Sequence, residues 1–334
     1  MSDNERNGGR VTPRRDFMVR AMEALAALGL LPLMGRTIFA AGAGPRVCLA
    51  QSGKPLNPAD DVRKIIGTML DEGIKYVSGG SDAAGYWKTN FKPSDKVAVK
   101  LSAVIDREIN FGPQIAEVLV DRLAAAGVKK ENIVFFERET RSLKKAGYKT
   151  NIDGPGPRFY GNNEHGYSDR ESVSGKFKGK FCKTLENSTA LINLPLLKTH
   201  SLSGISVAMK NHYGSFDKPN LYHANSCDPF IADLNMADEI RKKHRLVICD
   251  AMRVLYAAGP EYGPEYTADF NGMLIGIDPV AVDTCGLNII RKLRKKSSQS
   301  RLPYWPDPIH IATAGKKGLG EADFKKIDFK VITV

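Results

Sequence analysis

Lys198 and His200 lie two residues apart at the end of an apolar run, Ala190 to Leu197, and Lys210, Asn211 and His212 follow within a dozen residues. Ammonium groups gathered in a partly dehydrated cleft suit a carboxylate or phosphate, and their neighbours can lower the pKa of each. An imidazole beside them can move a proton. Lys198, His200 and Lys210 are therefore the candidate catalytic residues, with Lys100, Asn211, Asp278 and Asp283 as candidate substrate-binding residues. A second chemistry is open to the same segment. His200, His212 and His223, completed by Asp250, are candidate ligands for a divalent metal, since imidazole with carboxylate suits zinc, nickel or iron. No His-Glu-x-x-His motif supports that set.

Each residue also has a plainer role. A lone histidine usually packs or hydrogen-bonds, and a lone lysine at a strand end usually sits in water. Asp278 precedes Pro279, the common arrangement of a helix N-cap, and Asp283 falls near the positive end of the same helix. Ser201 and Ser203 stand near His200, but no acid is placed to complete a nucleophilic triad. Gly-x-Gly-x-x-Gly, Walker and Gly-x-Ser-x-Gly signatures are absent.

The elements that must position these groups alternate between helical and strand periodicities, which predicts a mostly parallel sheet flanked by helices, an α/β fold. Asp60 to Gly73 carries a helical apolar stripe with Gly73 as its stop. Val97 to Leu101 reads as a buried strand, Gly112-Pro113 opens a helix ending at Gly127, and Asn132 to Phe136 is the next strand. From 144 to 183 the pattern weakens into glycine, proline, asparagine and aromatic residues, an irregular inserted loop or small antiparallel flap. Ala190 to Leu197 is an inner strand interrupted at Pro195. Beyond it Ser201 or Ser203 caps a helix whose free N–H groups would receive an anion. Phe230 to Lys243 reads as helix, Leu246 to Cys249 and Met273 to Ile277 as strands, and Pro279 to Lys296 as a last long helix. Lys100, Glu137, Lys198, Asp250 and Asp278 lie in or just after successive strands. Parallel strands would bring them to one edge, where open α/β sheets bind ligands.

The pattern Lys198-x-His200, Gly204, Lys210-Asn211 and Gly214 resembles the family catalogued as domain of unknown function 362. The likeness continues through Asp250-Ala251, Gly259-Pro260 and Asp278-Pro279-x-Ala281-x-Asp283, and covers most of the chain after about Pro45. The resemblance implies an α/β fold and a set of positions, but no reaction. Many members of that family are fused to, or encoded with, ferredoxin-like cluster-binding segments. Here Cys48, Cys182, Cys227, Cys249 and Cys285 are scattered without Cys-x-x-Cys, so no iron–sulfur cluster is expected. The order of lysine, histidine, Gly204, Ser206 and Lys210 is also faintly similar to the lactate racemase family, in which a lysine holds a nickel pincer cofactor. Ala208-Met209 stands where that family has its Gly-Gly context.

Thr12-Pro13-Arg14-Arg15-Asp16-Phe17 precedes a modestly apolar run and a small-residue stretch, Ala40-Ala41-Gly42-Ala43. This resembles a twin-arginine signal peptide, residues 1–43, which implies export to the periplasm by the twin-arginine machinery, with a loose membrane tether if the signal is uncleaved. One α/β domain would then occupy 44–334. The chain carries 49 Lys and Arg against 37 Asp and Glu, a formal +12. Residues 1–41 hold six and four of these, so 43 basic and 33 acidic groups, a formal +10, belong to the rest. Export argues against nucleic acid as the partner. A small anionic ligand is the expected one, in an enzyme of unestablished reaction. The alternative is a redox-accessory or ligand-binding protein that docks an acidic electron carrier. The densest basic run, Arg291 to Lys296, falls where a helix C-terminus favours cations.

Overall fold

Strand Val97–Leu101 shows how the sheet is built, because alternate residues leave it on opposite sides. Val97, Val99 and Leu101 enter one apolar cluster, while Ala98 enters the other. The computed structural model describes residues 44–57, 61–103, 110–299 and 301–334. The signal-like segment, 1–43, lies outside the described residues. Among these the strands are β1 (Arg46–Gln51), β2 (Val97–Leu101), β3 (Ile133–Glu137), β4 (Arg158–Gly161), β5 (Ser172–Ser174), β6 (Phe177–Gly179), β7 (Ala190–Leu194), β8 (Leu196–His200), β9 (Gly204–Ser206), β10 (His244–Leu255), β11 (Thr267–Gly276) and β12 (Asp328–Thr333). The main sheet runs β12-β1-β11-β10-β7-β2-β3-β4, with β8 paired to β10 and β9. Most pairs are parallel, as the alternating pattern predicts. β11 runs antiparallel to both β1 and β10.

Both faces are covered. Helices Arg63–Ser78, Ala83–Asn90 and Gly112–Ala125 supply Ile66, Leu70, Trp87 and Leu119 to one cluster. The long helix Pro279–Lys296, with Phe230–Met236, supplies Val282, Ile290, Ile231 and Leu234 to the other. Full burial of such side chains stabilises by about 1.5 to 3 kcal/mol each before conformational entropy is subtracted. Gly73 does not stop the first helix. A Cβ there would lie 2.2 Å from Ile275, so the glycine lets the helix approach β11 closely, and left-handed Gly79 ends it instead.

The expected helix from Phe230 to Lys243 is two short ones, Phe230–Met236 and Asp238–Arg241. Within 144–183, β4 joins the sheet edge in parallel, and β5 and β6 form a small antiparallel pair. The strands β1 and β12 add a parallel pair at the opposite edge. Arg291 to Lys296 does end a helix, and its Arg294 guanidinium lies 4.7 Å from the Trp305 ring centroid. Among the described residues no helix is long and apolar enough to cross a membrane.

Candidate functional site

The site rests on a buried polar floor. In register, Lys100 of β2 stands opposite Asn193 of β7, so both side chains leave the same face at the C-terminal ends of parallel strands. The Lys100 ammonium donates to Glu137 Oε2 at 2.9 Å, to the Leu101 carbonyl and, at 3.5 Å, to Asn211 Oδ1. Glu137, at the end of β3, also accepts from the Arg138 and Ala103 amides. Asn211 donates to Asn193 Oδ1 at 2.7 Å and to the Lys100 carbonyl at 3.2 Å. A charge this deep survives only when it is paired and hydrogen-bonded. Gly214 completes the floor: a Cβ there would lie 2.7 Å from Glu137 Oε1 and 2.8 Å from Lys100 Nζ.

Above the floor opens a cavity of about 250 Å³, walled by Lys198, His200, Lys210, Asn211, Tyr213 and His223, with Lys100 and Glu137 beneath. Pro195 interrupts the strand as its missing N–H predicts. Beyond it the chain re-forms as β8, which pairs with the far half of β10 and carries Lys198 and His200 inward. Lys198 Nζ donates to the Pro260 carbonyl at 3.4 Å. Lys210 Nζ lies 3.6 Å from the centroid of the Tyr213 ring and 3.4 Å from His223 Nε2. Burial lowers the pKa of both lysines to about 8. His200 is lowered to about 3, first by burial and then by the charges of Lys210 and Lys198. It is therefore neutral. Its Nδ1 accepts from the Leu202 amide at 3.1 Å, which assigns the hydrogen to Nε2. With its hydrogen on Nε2, His200 can donate a hydrogen bond into the cavity.

His223 joins the cavity, its ring stacked on that of His200 with centroids 6.1 Å apart. The rest of the expected metal set does not gather. His212 is buried among Asn193 and Ser215. The oxygens of Asp250 accept from the Phe111 and Met252 amides. Among the described residues no three or more His, Cys, Asp or Glu side chains are grouped to hold a metal ion. The five cysteines are free and buried.

Two aspartates expected at the substrate are placed elsewhere. Asp278 follows β11, which runs antiparallel, so it lies at the opposite edge and caps the long helix through the Val280 and Ala281 amides. Asp283 accepts from the Ala208 and Met209 amides at 2.7 and 3.2 Å. The expected anion-binding helix end is therefore filled from within the protein. Ser201 to Ser203 form a turn into the β8–β9 hairpin, and the helix that carries Lys210, Ala208–Asn211, starts later and is only four residues long. Its N–H groups take Asp283, not a ligand.

Glu137, a charge closing an apolar strand, reads from the sequence as a group at the ligand-binding edge but without a role of its own. Tyr213 reads equally as a polar positioning group or a helix-end residue, and the fold places both at the cavity. A wider depression of about 480 Å³ opens beside Val97 and Asn132 at the other ends of β2 and β3, but its charged walls Lys96, Glu131 and Lys183 are exposed to water. Buried, mutually perturbed charges mark the smaller cavity as the candidate site.

A family model described as a domain of unknown function, DUF362, matches residues 97–288, more than half of the chain. The chain belongs to the DUF362 family. The matched span of this DUF362 chain holds every cavity residue named above. No curated protein matches it. Among solved structures it is similar to a protein from Thermotoga maritima, with TM-score 0.41 and 13% identity over 74% of this chain and 60% of that one. It is also similar to the lactate racemase apoprotein from Thermoanaerobacterium thermosaccharolyticum, with TM-score 0.41 and 12% identity over 72% of this chain and 56% of that one. The DUF362 chain thus spans less than two thirds of either structure.

Proposed function

We propose that this DUF362 protein is an enzyme that binds a small carboxylate- or phosphate-bearing substrate in the Lys198, His200 and Lys210 cavity. The observation that carries the reading is the convergence of two buried lysine ammonium groups and the neutral His200 Nε2–H on one small void, with no carboxylate paired to Lys210 among the described residues. Such a void attracts an anion, which in turn stabilises the ammonium forms. Lys198 and Lys210 hold the charge, His200 donates to a ligand oxygen, and the Lys210–His223 pair moves the proton.

The reading predicts a pH dependence of binding. Both lysines are protonated below about pH 8 and lose their charge above it. Calorimetric titration with phosphate and with a small carboxylate is expected to show affinity falling on the order of tenfold from about pH 7 to about pH 9. Unchanged affinity across that range, or no binding of either anion, would refute the reading.

Export supplies the setting. The proposal takes Arg14 and Arg15 as a twin-arginine signal, expected to send the protein to the periplasm. Changing both to Lys is expected to leave the precursor in the cytoplasm, and normal export of that variant would remove the assignment.

A further inference from the structure

The cavity holds three lysines with three different sets of partners. Lys100 is committed to Glu137, Leu101 and Asn211 in the floor. Lys198 is held by the Pro260 carbonyl. Lys210 faces the Tyr213 ring and an imidazole nitrogen, and among the described residues it pairs with no carboxylate. An aromatic face holds an ammonium far less firmly than a carboxylate does. The imidazole opposite can accept a proton from Nζ. The pKa of His223 is lowered from its ordinary value, first by burial and then by the Lys210 charge, while the carbonyls of Asn220 and Pro219 act against that shift.

We propose, resting on the anion-binding reading above, that Lys210 is a covalent nucleophile whose amine condenses with the ketone of a small 2-oxo acid to form an imine. Three groups of the cavity match three groups of such a substrate. The Lys198 ammonium suits its carboxylate, the His200 Nε2–H suits the ketone oxygen, and Lys210 Nζ suits the carbonyl carbon between them. A void of about 250 Å³ admits an acid of a few carbons.

The step balances without oxidant or reductant. The Nζ lone pair forms the C–N bond while the C=O π pair moves to oxygen, assisted by the His200 donor. A proton passes from nitrogen to oxygen by way of His223 Nε2, giving a carbinolamine. The C–O bond then breaks, and both hydrogens of the amine leave on the oxygen as water, so that C=N replaces C=O. Desolvation, which brings the Lys210 pKa to about 8, supplies amine near neutral pH, with Cys227 acting against it and Lys198 and Lys100 reinforcing it.

The test is reductive trapping with pyruvate as the probe. The protein is incubated with pyruvate and cyanoborohydride, then weighed intact and peptide-mapped, while calorimetry records pyruvate binding in parallel. Condensation loses one water and reduction adds two hydrogens, so the expected product is heavier than the protein by pyruvic acid less one oxygen, mapped to Lys210. The Lys210→Arg variant, which keeps the charge but cannot form this adduct, should bind pyruvate and lose ~10-fold or more of the label. Pyruvate binding with Lys210 labelled no more than surface lysines overturns the imine and leaves the anion-binding reading standing. Absence of both pyruvate binding and label overturns the imine, and the anion-binding reading falls with it only when phosphate also fails to bind.

Discussion

Replacing Glu137 with glutamine is expected to lower the unfolding free energy by about 3 kcal/mol or more, because it leaves the Lys100 ammonium buried without its countercharge. Lys100 and Glu137 side chains are only 1% and 5% exposed, and their 2.9 Å contact is the one ion pair in the floor of the cavity among the described residues. A fully hydrated pair would be worth well under 1 kcal/mol, so the depth decides the magnitude. The variant Lys100→Met combined with Glu137→Gln removes both charges and is expected to recover much of the loss. Denaturant titration with a common m-value checks both. A single substitution that shifts the midpoint by less than the equivalent of about 0.5 kcal/mol would show that water reaches the pair, and that the floor is not the fixed platform described above.

The second large effect separates function from stability. Changing both Lys198 and Lys210 to methionine is expected to weaken phosphate or carboxylate binding at least about 100-fold, near 2.7 kcal/mol, while leaving stability at neutral pH the same or greater. The sign follows from linkage. Each lysine has a folded pKa of about 8 against an ordinary 10.5, so the folded state binds its proton less well than the unfolded chain does. Each therefore opposes folding below about pH 8, by an amount on the order of 3 kcal/mol, and that opposition fades as the pH rises toward 10.5. Methionine fills similar volume and removes the cost. The wild-type protein should accordingly gain stability from this source across that pH window, and the double variant should not. Loss of more than about 2 kcal/mol in the variant at neutral pH would mean that the lysines serve the fold.

Much of this arrangement was legible along the chain. The apolar run of Val97 to Leu101, the charge in or just after each apolar run, and the break at Pro195 are local properties, and they led to Lys100, Lys198 and the α/β class. Lys210 and Asn211 were legible because they follow the inner strand closely. Periodicity reports which face of an element is buried. It says nothing about the direction in which a strand enters the sheet. Asp278 therefore looked equivalent to Asp250 and Lys198, until β11 proved antiparallel and carried it to the far edge.

Pairings between residues distant in sequence are fixed by the fold alone. Asp283 lies 75 residues from the Ala208 amide it accepts from, and Glu137 lies 37 from Lys100. Each pairing is selected because a buried charge or N–H must find a partner, and the packing of helices on the sheet determines which partner is within reach. The same constraint separated the histidines. His212 satisfies its ring within the floor, whereas the turn after Pro219 brings His223 to Lys210. Local sequence specifies which groups stand near strand ends, and the folded chain specifies which of them face the cavity, because strand direction and long-range polar satisfaction are properties of the whole sheet and of no single segment.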